Sequence, residues 1–210
     1  MKDRLRELLS ARQFDEVAQL AAKRKRVLGT LVSLTFSADP LIAWRAVEAM
    51  GIAAGRIAER DPEYVRNHLR RLHWLLSEES GGICWYAPQA MAEIIRRRPD
   101  AFSDYATIVA TLLQSMAAED LPHFRAGILW AIGRIAPVAR EEIEPVLGSV
   151  ARCLDDPDSQ VRGMAVWCLV QAGKQEIVAG RKDLLSDDGP AQLYDDGQLD
   201  RTTVRALLHG

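Results

Sequence analysis

One internal repeat limits this chain to a narrow set of folds. Four segments align on one another: Ala43–Gly51, Cys84–Ala92, Arg125–Gly133 and Arg162–Val170, with starting residues 41, 41 and 37 apart. Each has an apolar, mostly small residue three places in (Ala46, Ala87, Ile128, Ala165) and a larger apolar residue four further on (Met50, Met91, Ile132, Leu169). Small residues let helices approach closely, and the larger ones fill the layer between them. A period near 40 with this pattern predicts stacked helical hairpins, none able to bury its apolar face alone.

The partner helices show the same spacing. Val27, Leu31 and Leu34 keep it, as do Val65, Leu69, Leu72 and Leu76. So do Ile108, Leu112 and Met116, then Ile143, Val146, Val150 and Leu154. Asp39-Pro40, Asp61-Pro62 and Asp156-Pro157 punctuate the array. Aspartate accepts from the orphan N–H groups of a helix start, and proline fits a first turn. The expected organisation is a helical array over 1–180, with repeats at about 23–60, 61–98, 99–138 and 139–180 behind an N-terminal cap of one or two helices, and a capping extension over 181–210.

The segment Leu154-Asp155-Asp156-Pro157-Asp158-Ser159-Gln160-Val161-Arg162-Gly163-Met164-Ala165 resembles the turn and second helix of HEAT-repeat proteins, particularly the bacterial HEAT-like repeats also found in phycobilin lyases. The third repeat keeps only the arginine of that pattern, in His123-Phe124-Arg125, and the first two keep only the helical spacing. The resemblance covers about residues 23–180 and implies an all-α fold, an α-α superhelix or HEAT-like solenoid related to armadillo arrays. It leaves function open, because one architecture hosts many activities.

After Gly180 the repeat stops. Asp196-Gly197, two residues that tolerate positive φ, sits between short segments of mixed polarity and predicts a small β-hairpin near Leu193–Leu199. Thr202 or Thr203 then caps a last helix carrying Val204, Leu207 and Leu208.

Most chemistry is excluded by what is missing. The 27 basic and 29 acidic residues give a net charge of −2, which argues against nucleic acid as a partner. Residues 1–105 carry 17 bases against 14 acids, and the remainder 10 against 15. His68 and His73 are five apart and point to different sides of a helix, and His123 and His209 are dispersed, so neither a metal nor a cofactor is expected. Cys84, Cys153 and Cys168, an odd number at long spacings, fit reduced thiols and a cytoplasmic location. No stretch has the length of a membrane span. Lys23-Arg24-Lys25-Arg26 reads as a solvated helix start. Ser80-Gly81-Gly82 offers N–H groups to an anion, although two glycines easing a turn explain it as well.

The tryptophans stand apart. Counting from the first residue of each aligned segment, Trp44 and Trp85 take position +1, and Trp130 and Trp167 take position +5. These positions share one helical face, which points away from the hairpin core. In a solenoid that face lines a groove, completed at +5 by Glu48 and Gln89 and at +9 by Glu93, Arg134 and Gln171. Trp74 falls on neither stripe and reads as packing. Tryptophan and arginine dominate binding hot spots. The expected function is therefore a non-catalytic scaffold that binds a protein or peptide in a Trp-lined groove, with at least two of the four rings open to the partner and Trp130 dispensable for stability. One alternative is a HEAT-like DNA alkylation glycosylase or other nucleic-acid-binding protein, which needs more groove cations than Arg134 and the nearby Arg96–Arg98. A phycobilin-lyase-like accessory role is another.

Overall fold

The computed structural model describes residues 1–76, 84–116 and 121–208, and within them the chain is mostly helical with one small two-stranded sheet. The Ser80-Gly81-Gly82 segment and His209 lie outside the described residues. The chain forms two compact units. The first is Met1–Tyr105 with Asp196–Gln198; the second is Ala106–Asp195 with Leu199–Gly210.

The first unit runs α1 (Lys2–Ser10), α2 (Phe14–Lys23), α3 (Val27–Leu34), α4 (Pro40–Ala58), α5 (Pro62–Trp74), α6 (Ala87–Arg97) and α7 (Pro99–Phe102). The two helices α1 and α2 stand where the sequence predicts an N-terminal cap of one or two helices. Asp39 and Asp61 cap α4 and α5: the Asp39 carboxylate accepts from the Leu41 N–H at 2.9 Å, and the Asp61 carboxylate from the Tyr64 N–H at 3.1 Å. The long helix α4 forms the middle of this unit and packs on α2, α3, α5 and α6. Its buried face is built on alanines, among them Ala43, Ala46, Ala49 and Ala53. Closest approach falls at Gly51, where a Cβ would lie 2.6 Å from the main-chain oxygen of Glu93 in α6.

The second unit runs α8 (Ala106–Ser115), α9 (Pro122–Ile135), α10 (Arg140–Ile143), α11 (Leu147–Arg152), α12 (Ser159–Gln171) and α13 (Gln175–Ala179). Its dominant packing is α9 on α12. The Ile143–Leu154 stripe is not one helix. It is α10, a 3₁₀ turn at Glu144–Val146, α11 and a second 3₁₀ turn at Cys153–Asp155, because Pro145 brings no N–H for the helical ladder. Ile143, Val146, Val150 and Leu154 are nevertheless all buried. Helix α12 starts two residues later than the Asp156-Pro157 signal suggests: Asp158 is the cap and accepts from the Gln160 and Val161 N–H groups at 2.8 and 3.2 Å.

The C-terminal hairpin is longer than the Leu193–Leu199 expectation, with β1 at Pro190–Asp195 and β2 at Gln198–Thr203. The two strands are antiparallel, and Asp196 and Gly197 both take positive φ at the turn. The expected last helix is a 3₁₀ turn, Arg205–Leu208, with the Thr203 hydroxyl accepting from the Ala206 N–H at 3.4 Å.

Candidate functional site

In the second unit the helical face singled out from the sequence is covered by this chain's own hairpin. There β1 lies on α12. Three residues of α12 on one face, Gln160, Gly163 and Trp167, follow the i, i+3, i+7 spacing. At Gly163 the C-terminal segment lies close: a Cβ there would sit 3.0 Å from the Ala191 Cβ and 3.1 Å from Leu207 Cδ1.

The contacts from helix to strand are directed at main chain. The Gln160 side-chain amide donates to the Gln192 carbonyl at 2.8 Å and accepts from the Gln192 N–H at 2.6 Å. The Ser159 hydroxyl donates to the Pro190 carbonyl at 2.7 Å. From α9, the Trp130 indole N–H donates to the Tyr194 carbonyl at 2.9 Å. The carbonyls of residues 190, 192 and 194 are thus each met by a side chain. Alternate residues of a strand present their polar groups to the same edge, so this pattern reads an extended backbone as such.

Two side chains of the strand are read as well. Tyr194 is buried with its ring centroid 6.4 Å from that of Trp130. Asp195 accepts from the Arg134 guanidinium at 2.7 Å, and that guanidinium also lies over the Trp130 ring at 5.3 Å. At the base of the hairpin, Arg162 holds Asp187 with two hydrogen bonds of 2.8 and 3.2 Å and keeps its carboxyl below the usual carboxylate range. The Asp187 carboxylate also accepts from the Gly189 N–H at 2.8 Å.

In the first unit, the turn residues are held in the same manner. Glu48 accepts from the Gly197 N–H at 2.9 Å, and Arg45 donates through Nε to the Gly197 carbonyl at 2.9 Å. Arg45 also donates to the carbonyls of Leu9 and Ser10, both at 2.9 Å. Arg12 pairs with Asp196 at 2.7 Å, and its side chain crosses so close to Gly197 that no Cβ fits there.

The nine residues assigned to a groove are placed as follows. Glu48, Trp130 and Arg134 contact the hairpin as described. Trp167 stacks on Trp130, with centroids 6.2 Å apart and planes 10° from parallel, and fills the space above Gly133. The expectation of open rings is corrected here: Trp130 is 1% exposed and Trp167 5%, because hairpin and neighbouring helix together cover them. Trp44 and Trp85 are half-buried, Trp44 meeting Tyr86 edge-on at 5.4 Å. Gln89 and Glu93 are buried, and Glu93 pairs with Arg96 at 3.0 Å. Gln171 is half-buried at the end of α12. Trp74, read as packing, is instead 57% exposed.

Ser159, Gln160, Arg45, Arg12 and Tyr194 were not singled out. Gln160 had a signal, since it stands one turn before Gly163 on the face already identified. Arg45 had none, because position +2 lies off that face.

One family model matches part of the helical repeat. Residues 122–171 match the family model described as HEAT-like repeat. This segment is similar to a HEAT-like repeat. It spans α9 to α12, the helices that meet the hairpin in the second unit. An uncharacterized protein of Archaeoglobus fulgidus is 28% identical over 182 residues, 85% of this chain and 91% of its own length. Among solved structures, a designed armadillo repeat protein in complex with peptide (KR)4 matches with a TM-score of 0.45 at 18% identity, over 87% of this chain and 91% of that one. An engineered protein matches with a TM-score of 0.46 at 18% identity, over 99% and 93%. No helix among the described residues is long and apolar enough to cross a membrane.

Proposed function

We propose that this chain is a non-catalytic cytoplasmic scaffold that holds polypeptide on the Trp130-bearing face of α9 and α12. One observation carries the reading: the Gln160 amide makes both of its hydrogen bonds to the main chain of Gln192. A side chain that satisfies an N–H and a C=O of the same residue recognises extended backbone without regard to sequence. Two residues on, the Trp130 indole N–H meets the Tyr194 carbonyl alone. Nothing in this arrangement activates a bond, and it supplies what a binding surface needs: directional polar contacts around buried aromatic area.

The nucleic-acid alternative asks for cations available to phosphates. Arg134, Arg96 and Arg98 are each engaged with a carboxylate, of Asp195, Glu93 and Asp100. That favours the polypeptide reading.

The test is a titration of unstructured peptides of varied sequence against the full chain carrying Tyr194→Ala, which loosens the resident strand and leaves the helical face intact. Peptides should bind and shift tryptophan fluorescence, and Gln160→Ala added to the same chain should weaken all of them alike. Failure of every peptide to bind would sink the scaffold reading.

A further inference from the structure

The hairpin contacts also define what kind of segment the α9–α12 face selects. We infer that its ligand is an extended segment with the pattern small-x-x-aromatic-acidic, the pattern of Ala191 to Asp195, and that it enters by displacing β1. The inference rests on the scaffold reading and adds the chemistry of the partner to it.

Each element of the pattern has its own physical cause. The small residue is required because Gly163 brings the backbone of α12 against position 191, where Ala191 is buried and even a Cβ on the glycine would crowd it. The methyl group of Ala191 fits this close approach. The aromatic residue is required because position 194 is enclosed beside the Trp130 ring, and an aromatic pair adds to the area buried. The acid is required because Arg134, largely buried and held over Trp130, presents its guanidinium to position 195. A carboxylate at 195 complements that cation, whereas a lysine there would repel it. Between them, position 192 is read through its main chain, with the Gln192 side chain exposed and Leu193 half-buried.

The hairpin sits on this face as a tethered ligand. A tethered segment competes at an effective concentration on the order of millimolar, so a free segment of equal affinity displaces little of it until the resident strand is weakened. Two variants of the full chain weaken it differently. Tyr194→Ala removes the buried ring. Asp195→Lys sets a like charge against Arg134 at an exposed position and keeps the core complete, should the first variant fold poorly.

The experiment titrates a fluorescein-labelled peptide of sequence 188–197 into both variants and reads anisotropy, with circular dichroism confirming helix content. The natural-sequence peptide should bind. Peptides carrying Ala191→Leu, Tyr194→Ala or Asp195→Lys should each bind at least about tenfold more weakly, a factor worth about one hot-spot contact. Adding Arg134→Glu to the receptor should reverse the preference at the last position, favouring the Asp195→Lys peptide. Equal binding of all four peptides would overturn the pattern and leave the scaffold reading standing. No binding of any peptide to either folded variant would overturn both.

Discussion

The indole N–H of Trp130 donates to the main-chain carbonyl of Tyr194 at 2.9 Å, across 64 residues of sequence. Trp130 therefore has two roles, a core ring stacked on Trp167 and a donor to the hairpin. Two substitutions separate them. Trp130→Ala should cost about 3–5 kcal/mol in a urea melt, as for a buried aromatic residue. Trp130→Phe keeps most of the ring and should cost less, the lost hydrogen bond itself contributing about 1 kcal/mol.

Glycines mark where helices touch. A Cβ on Gly51 would lie 2.6 Å from the Glu93 carbonyl oxygen, and one on Gly133 would lie 2.5 Å from the Trp167 ring. Gly51→Ala and Gly133→Ala should each destabilise by about 1–3 kcal/mol through overpacking. Gly148 in α11 has nothing within 4 Å of a new Cβ. Gly148→Ala should therefore stabilise, by about 0.5–1 kcal/mol. Parallel thermal melts of the three variants check the signs.

The repeat positions were legible because they depend on local periodicity alone. Ala46, Ala87, Ile128 and Ala165 are all buried, and the +5 and +9 positions do carry the hairpin contacts of Glu48, Trp130 and Arg134. The turn at Asp196-Gly197 was legible for the same reason. What was not legible was the meeting of those two features. The hairpin's occupation of the helical face rests on contacts such as Gln160 to Gln192 and Glu48 to Gly197, which join segments 32 and 149 residues apart. No periodicity encodes such a pairing. A Trp-rich stripe therefore looks the same in sequence whether a partner or the chain itself covers it.

His68 makes stability depend on acid. It is buried in α5, and burial, aided by the charge of Arg71, pushes its pKa down to about 4. The unfolded chain keeps a histidine near its ordinary value of about 6.5. Between these values the unfolded state holds a proton that the folded state refuses, so stability falls as pH drops through this window. His68 Nε2 has no hydrogen-bond partner among the described residues, so an apolar replacement forfeits no bond there. His68→Leu should remove roughly 3 kcal/mol of the loss between pH 7 and pH 4. Urea midpoints of the two chains across that range measure it.

Arg45 serves three main-chain carbonyls, those of Leu9, Ser10 and Gly197, from a buried position. Arg45→Ala removes a donor from all three, with Leu9 keeping the Arg12 N–H at 3.1 Å, and should cost about 3 kcal/mol. Arg45→Lys should recover little, because one ammonium cannot reproduce the guanidinium fork. A denaturant melt of the pair distinguishes loss of the fork from loss of charge.

The occupation of the helical face by β1 is tested most directly by amide hydrogen exchange at Gln192. Its N–H points at the Gln160 side chain, 2.6 Å away, and owes its protection to that amide. In the natural chain this amide should exchange far more slowly than in an unstructured peptide. In Gln160→Ala it should lose that protection while the amides of α4 and α9 keep theirs. Exchange at the free-peptide rate in the natural chain, or protection unchanged by Gln160→Ala, would contradict the placement of the strand on this face.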